Sequence, residues 1–497
     1  MKKLFTLAFA SLMSLSAMAE DYKCDLAVTV FGTPSPYQPC TISCTKNASG
    51  KYDIQLKDFF FGDIPVGNIN INDIDAIFDT DGIVYLITSQ DINLEGAFAT
   101  LGSLPSTLEG YIIDGDILVS LKIPMVGVNV ALTSRPTSLY GGDFENWHKA
   151  SDADEPNGWH TIKSGTGKFA AFGKACAAIS DDVPTGSTGN KSAKISSSSI
   201  YGISANGTIT TGRMNVGAFT ATDPANNVYV NWEDEALDGN GDPFHNKMVG
   251  KPSSITLWYK FKNGKDNTKP ALVRAIVLGN GYYQDPAPAG TEYDNVVAIA
   301  EKTLTATDEW TKVTIPFDYA TYAANEAEPM TCLVTCNTCN EAGGGSKDSE
   351  DTDILCVDDM TLNYEPVPTA MYIFDTPVTG FTADCTEYDI TLPEAPTEDD
   401  IDFDCVDDLN YAVLTHFDEA QNGNPARLVA NLYSEDLKTF KTYTFNVNID
   451  TAIDGINADN NTSAAGRYNI SGQKVGKNAR GLIITRYADG KVVKTVK

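Results

Sequence analysis

The most constraining feature of the chain is a two-residue period of apolar side chains. It runs through Tyr22, Cys24, Leu26, Val28 and Val30. It returns at Tyr52, Ile54 and Leu56, at Ile83, Tyr85 and Ile87, and at Ile117, Val119, Leu121 and Ile123. Successive side chains of a strand point to opposite faces, so this pattern buries one face and wets the other. Gly, Pro, Asn or Asp separates the runs, and no helical period is evident among them. Many short strands of similar spacing within residues 20–134 predict an up-and-down barrel or a sandwich.

Residues 139–365 form a second predicted unit. Runs such as 254–261 (SITLWYKF) and 310–317 (WTKVTIPF) turn Ser, Thr or Lys outward, the pattern of antiparallel sheets with one wet face. We expect a jelly-roll β-sandwich there. A Pro-bearing linker at 365–368 then opens a third unit, residues 366–452, with short strands at 411–414, 427–432 and 442–449. That unit is expected to be a small Ig-like sandwich, and its acid-rich run 394–408 a solvated loop. The fold class is therefore all-β throughout.

The chain has 497 residues and a formal net charge of −30. This balance argues against nucleic acid as a partner, because phosphate binding needs clustered Lys and Arg. The two ends differ from the rest. Lys2 and Lys3, an apolar stretch from Leu4 to Ala17 and the small-x-small sequence Ala17-Met18-Ala19 read as a signal peptide over residues 1–19. No later stretch is apolar for 18 residues, so no transmembrane segment is expected. From Gly466 onward there are eight Lys or Arg against one acid, an asymmetry that suggests a segment with its own partner. Residues 457–465 read as a polar linker to it.

Three resemblances follow from ordered motifs. Residues 50–59 (GKYDIQLKDF), 66–71 (VGNINI), 101–105 (LGSLP) and 119–127 (VSLKIPMVG) resemble the calycin-like β-barrel domain of exported bacterial proteins. Such a barrel encloses one small ligand or fills its interior with side chains, and the filled state is the expectation. Residues 142–147 (GDFENW), Gly212, 241–244 (GDPF), 251–260 (KPSSITLWYK) and 357–359 (VDD) resemble a bacterial carbohydrate-metabolism domain family whose members are similar to carbohydrate-binding jelly rolls. The tail, with 468–475 (YNISGQKV), 481–486 (GLIITR) and 491–497 (KVVKTVK), resembles the C-terminal sorting domain of type IX secretion cargo, over residues 466–497. That resemblance implies secretion or attachment to the outer surface, with the type IX machinery as partner.

Candidate chemistry concentrates in the second unit. Sugars stack their C–H faces on flat rings, and all five tryptophans lie here. Trp258 and Trp310 read as core, whereas Trp147, Trp159 and Trp232 sit among Asn, Asp, Glu, Gly and His and are the expected ligand contacts. His148 and His160 follow two of them and read as surface histidines. Jelly-roll sugar binders commonly tie their first strand to their last with a structural calcium, and the residues that match that pattern are Asp143, Glu145 and Asp358. Residues 238–242 (DGNGD) resemble a calcium loop but lack its later ligands, and read as a turn. Cys332, Cys336, Cys339 and Cys356 lack regular zinc spacing and read as disulfides or free thiols. Of the ten cysteines, Cys385 and Cys405 are the expected disulfide pair, because no third cysteine lies near.

No nucleophile elbow, zinc-protease helix or phosphate loop occurs, so no catalytic residue is assigned. The expectation is a secreted or surface-attached protein that binds a glycan through its central sandwich without catalysing a reaction. Two rivals remain: a glycan hydrolase using carboxylates in the same unit, and a structural or adhesive surface protein.

Overall fold

The computed structural model describes residues 19–449 apart from 62–63, 79–81, 188, 201–202, 398–399, 406–411 and 422–423, together with 464–468, 482–487 and 492–496. The expected signal peptide therefore lies almost wholly outside the described residues, as does most of the linker at 457–465. The chain divides into two compact units, one formed by residues 1–135 with 366–497 and the other by 136–365.

In the first unit, eight strands form an antiparallel meander: Ala19–Val30, Gln38–Lys46, Tyr52–Phe61, Ile64–Phe78, Val84–Asn93, Ser103–Ile113, Asp116–Ile123 and Val128–Thr133. The first pairs with the last, from Asp25 opposite Thr133 to Val30 opposite Val128, which closes the barrel and removes its edges. Alternation decides what lies inside. Leu26, Val28, Ile42, Ile54, Leu56, Ile74, Leu86, Leu108, Ile117 and Leu121 pack into one core. Each such side chain taken from water contributes roughly 1.5–3 kcal/mol. Phe59 turns in and Phe60 turns out, as adjacent strand residues must.

Residues 366–449 fold as two small sheets. One runs Thr376–Pro377, Pro368–Ile373, Ile401–Cys405, and the other Glu387–Leu392, Phe440–Ile449, Ala426–Tyr433, Ala412–Asp418. Met371, Phe403, Leu428, Ala430, Tyr443 and Phe445 form the core between them. The acid-rich run is not wholly a solvated loop. Ile401 and Phe403 alternate between its acids and are buried, so the segment is a strand with an inward apolar face. This sandwich packs on the outside of the barrel's closing seam, where Ala27 and Ala131 meet Leu414, Tyr433 and Leu437. Side-chain amides pin the contact: Asn129 Nδ2 donates to Thr415 O at 2.8 Å, and Asn431 Nδ2 to Gly32 O at 2.9 Å. In the tail, Ala464–Tyr468, Leu482–Tyr487 and Val492–Val496 form a three-stranded antiparallel sheet.

In the second unit, a five-stranded sheet (Ala177–Ser180, Ser192–Ser196, Ile354–Asn363, Ser254–Lys262, Thr311–Pro316) shares a core with a four-stranded one (Thr208–Thr210, Thr331–Asn337, Ala271–Leu278, Val296–Leu304). A third layer, Arg213–Val216, Asn226–Asn231 and Tyr282–Asp285, covers the far side of the four-stranded sheet through Val228, Val230 and Tyr283 against Ile276, Leu278 and Leu333. On Ser254–Lys262 the inward residues are Ile255, Leu257, Tyr259 and Phe261. Trp258 therefore belongs to the outward face and is only half-buried, with Lys312 Nζ 5.9 Å from its ring centre. Trp310 is likewise half-buried and donates from Nε1 to Asp182 Oδ1 at 3.0 Å. Neither is the core residue that the sequence suggested.

Candidate functional site

A cleft of about 450 Å³ opens in the second unit, between the third layer and the loops beside it. The segment 162–173 reaches it because its backbone is stitched to the edge strand Arg213–Val216: Thr166 N donates to Met214 O at 2.8 Å and Phe169 N to Val216 O at 3.0 Å. Gly173 permits the tight return of this segment, since a Cβ there would lie 2.4 Å from the Ile162 Cδ1. The loop thus presents Phe169 and Phe172. Phe219 arrives from the next turn, which Gly217 N to Ala225 O and Ala218 N to Asn226 Oδ1 hold in shape. Phe169 lies 6.4 Å from Phe172 and 6.1 Å from Phe219, ring centre to ring centre. Phe172 and Phe219 are each 61% exposed, which is unusual for phenylalanine.

Most of the lining is apolar, with Ile162, Ile203, Met214, Val216 and Val228 beside the rings, and a minority is polar. Asn206, Asn215, Asn226, Asn227, Asn337 and Thr335 contribute, with Asp285 at one side. Several amides are fixed by their own NH₂ groups: Asn215 donates to Ala225 O, Asn226 to Thr220 O, Asn227 to Pro224 O and Asn206 to Glu341 O. Their orientation is therefore set before a ligand arrives. Among the lining residues, Asn206 Oδ1, Asn227 Oδ1 and Ser204 Oγ are buried without a hydrogen-bond partner. Asp285 receives Arg274 Nη1 on both oxygens, at 2.9 and 3.1 Å. Burial still raises its pKa above the usual carboxylate value, helped by Glu301 and opposed by Arg274.

None of the three expected tryptophans lines this cleft. Trp159 is fully buried against Phe144, ring centres 5.2 Å apart, and donates from Nε1 to Gly141 O. It is a core residue, which corrects its assignment as an exposed contact. Trp147 is half-buried, packs on the same core and donates to Phe144 O at 2.7 Å. Trp232 is half-buried and sits against His245, ring centres 4.2 Å apart. The cleft's phenylalanines carried a different signal: Phe169 and Phe172 lie in a loop bounded by Gly167 and Gly173, and Phe219 follows Gly217, all outside any alternating run.

Asp143, Glu145 and Asp358 are brought into one electrostatic neighbourhood. Met360 N donates to Gly142 O at 2.7 Å, which lays the unit's opening segment along its closing strand. Asp358 is buried, Oδ1 accepts from Asp359 N at 2.8 Å, and Oδ2 has no hydrogen-bond partner. Burial pushes its pKa up to about 7, with further upward contributions from Asp359, Glu145 and Asp143 and a downward one from the Asp359 N–H. Glu145 Oε1 is already occupied by the N–H groups of Asn190 and Lys191, both at 2.8 Å. The orphaned oxygen and the mutual repulsion suit a cation, but the three carboxylates do not close on a single point. A calcium there would draw its other ligands from backbone carbonyls or water.

None of the ten cysteines is in a disulfide in this structure, the expected pair Cys385 and Cys405 included. Cys385 is exposed, with Sγ donating to Glu387 O at 3.3 Å, beside a strand of the four-stranded sheet. Cys405 lies opposite Pro368 in the other sheet of that sandwich. Cys332 and Cys336 are buried within the core of the second unit, the ordinary place for a small apolar side chain. His148 and His160 are not surface histidines, for their side chains are only 6% and 0% exposed. Residues 238–242 do form a turn, with Asp242 N donating to Asp238 Oδ1 at 2.9 Å.

No curated protein matches the chain. Among solved structures it is similar to a carbohydrate-binding module of the β-sandwich superfamily, with 10% identity and a TM-score of 0.19, covering 58% of this chain and 96% of that one. It is also similar to a candidate outer membrane protein of Bacteroides fragilis, with 11% identity and a TM-score of 0.19, covering 66% and 97%. No helix among the described residues is long and apolar enough to cross a membrane. A family profile, the calycin-like beta-barrel domain, matches residues 18–133, and that segment is the closed barrel described above.

Proposed function

We propose that this protein is exported and binds a glycan, without catalysis, in the cleft of its second unit. The observation that carries the reading is the set of exposed rings, Phe172 and Phe219 with Phe169 between them, in a mostly apolar cleft that also carries oriented asparagines. Rings accept the C–H faces of a sugar, and amides exchange hydrogen bonds with its hydroxyls. Among the described residues that line the cleft, Asp285 is the single carboxylate, and Arg274 engages it. Hydrolysis of a glycosidic bond uses two carboxyl groups flanking the bond, so this lining favours retention of a sugar over its cleavage. Glycan arrays followed by assays for reducing-sugar release test the reading. Binding without release supports it, release points to a hydrolase, and no signal in either points to a structural or adhesive surface protein.

Export is part of the same proposal. Residues 1–19 would be removed as a signal peptide, and the basic tail from residue 466 would engage the type IX machinery. The charge reversal of that tail and its three-stranded sheet support this. Deleting residues 466–497 should leave the protein in the periplasm, detected by cell fractionation; arrival at the surface without the tail would overturn the assignment. A structural calcium beside Asp358, Glu145 and Asp143 completes the proposal, as a brace for the sandwich.

A further inference from the structure

The amide hydrogens around the cleft are engaged by the protein itself. Asn206 Nδ2 donates to Cys339 O and Glu341 O, Asn215 Nδ2 to Ala225 O, Asn226 Nδ2 to Thr220 O and Asn227 Nδ2 to Pro224 O. The oxygens of these amides divide into two groups. Asn215 Oδ1 accepts from Thr166 Oγ1 and Asn226 Oδ1 from Ala218 N. Asn206 Oδ1 and Asn227 Oδ1 are buried with no hydrogen-bond partner. An amide oxygen accepts and never donates, so only an O–H or N–H group satisfies it. A buried acceptor left unmet is destabilising, and a ligand that donates to it relieves that cost.

Charge narrows the ligand further. Among the described residues that line the cleft there is no Lys, Arg or His. Arg274, outside the lining, is held by Asp285 at 2.9 Å and by Glu301 at 3.2 Å. Lys174, next to the lining residue Gly173, donates from Nζ to Ser199 O at 2.9 Å. A carboxylate or sulfate group brought into the cleft would face carbonyl oxygens and Asp285, with no lining cation to balance it. Taking an unpaired charge out of water is among the most unfavourable burials. A chain of net charge −30 also repels polyanions at longer range.

The aliphatic side chains add the last constraint. Ile162, Ile203, Met214, Val216 and Val228 offer hydrocarbon and no hydrogen-bonding group. A primary hydroxyl placed against them loses water and finds no partner, whereas a methyl group there is taken from water at a gain. We infer that the cleft takes neutral sugars with a methyl group in place of the primary hydroxyl, the 6-deoxyhexoses, and excludes acidic glycans. This rests on the glycan reading of the same cleft and narrows it. The ring hydroxyls supply the donors that the amide oxygens lack, the C–H face meets a phenylalanine ring, and the methyl group meets the aliphatic wall.

The test is a titration of the full chain, read by saturation-transfer NMR, with sugars matched in all but one group. The pairs are L-fucose against L-galactose, L-rhamnose against L-mannose, and D-galactose against D-galacturonate. At least one 6-deoxy sugar should bind about tenfold or more tightly than its hydroxymethyl counterpart, and galacturonate should not bind. Phe219→Ala, which removes an exposed ring, should weaken the bound 6-deoxy sugar by about tenfold or more. Equal or tighter binding of both hydroxymethyl sugars, galacturonate at the strength of the best neutral sugar, or undiminished binding by the variant would overturn the inference. The first two of these results leave the glycan reading in place. Silence from every sugar, here and on a glycan array, would remove both.

Discussion

Arg135 Nη1 lies 2.8 Å from Glu435 Oε1, with side chains 13% and 5% exposed. The pair joins the end of the barrel to the sandwich of residues 366–449, and it stands beside the apolar patch of Ala27, Ala131, Leu414, Tyr433 and Leu437. In sequence the third unit reads as a separate small Ig-like sandwich; the seam makes it part of the barrel's outer wall. Removing one partner from a buried pair leaves the other charge without compensation, at a cost of about 3–5 kcal/mol. Glu435→Ala should therefore lower the melting temperature of the full chain and open the seam to limited proteolysis. Replacing both residues with apolar ones should recover much of the loss, and a double-mutant cycle measures it.

Phe172 and Phe219 offer the cleanest test of the cleft. Each is so exposed that truncation to alanine should change stability by no more than about 0.5 kcal/mol. If their faces hold a sugar ring, each truncation should weaken glycan binding by tenfold or more, about 1.4 kcal/mol or above. Trp159→Phe is the contrasting variant: it should lower stability through its buried indole and leave affinity unchanged in the protein that remains folded. Calorimetric titration with the glycan found on the array would read both effects.

How much of this was legible depends on what period two can encode. Alternation at Leu26 and Val28, or at Ile117, Val119 and Leu121, states directly which face is buried but leaves barrel and sandwich both open; the barrel is expected from the resemblance of residues 50–59, 66–71, 101–105 and 119–127. The same rule, applied to Ser254–Lys262, would have turned Trp258 outward, because its parity is opposite to that of Leu257 and Tyr259. Acid content hid the strand at Ile401 and Phe403, although their spacing is that of an inward face. Long-range partners had no local trace. Nothing near His160 in sequence announces Asp238, which arrives 78 residues later. Loop aromatics such as Phe172 fall outside any periodicity, so only their glycine brackets marked them.

Asp358 makes a prediction with a definite sign. Its folded pKa, about 7, lies above its unfolded value near 4, so the stability it lends is complete below about pH 4 and is lost as pH rises through about 7. The loss runs at about 1.4 kcal/mol for each pH unit in that window. In chelator, the melting temperature of the full chain should fall across this range, and Asp358→Asn should flatten the fall. Calcium bound there would favour the ionised form and reverse the sign, so at pH 8 it should raise the melting temperature of wild type but not of the variant. A wild-type curve that ignores both chelator and calcium would remove calcium from the proposal while leaving the proton argument intact.

The thiols make the last prediction. Cys24 and Cys40 stand directly opposite each other on the first two long barrel strands, where Cα atoms are about 4.5–5.5 Å apart, within the range that a disulfide spans. Hydrogen bonding to Cys40, then burial, pushes the Cys24 thiol far above its usual pKa. Since thiolate is the reacting species, the bond should form slowly in air and readily with a disulfide-exchange catalyst. It would close a loop of about 15 residues, for which chain entropy gives roughly 3 kcal/mol. Non-reducing peptide mapping of protein recovered from outside the cell should find the Cys24–Cys40 link, and a reductant should then lower the barrel's unfolding temperature. A map showing Cys24 or Cys40 joined to Cys44 instead would contradict the register on which this rests.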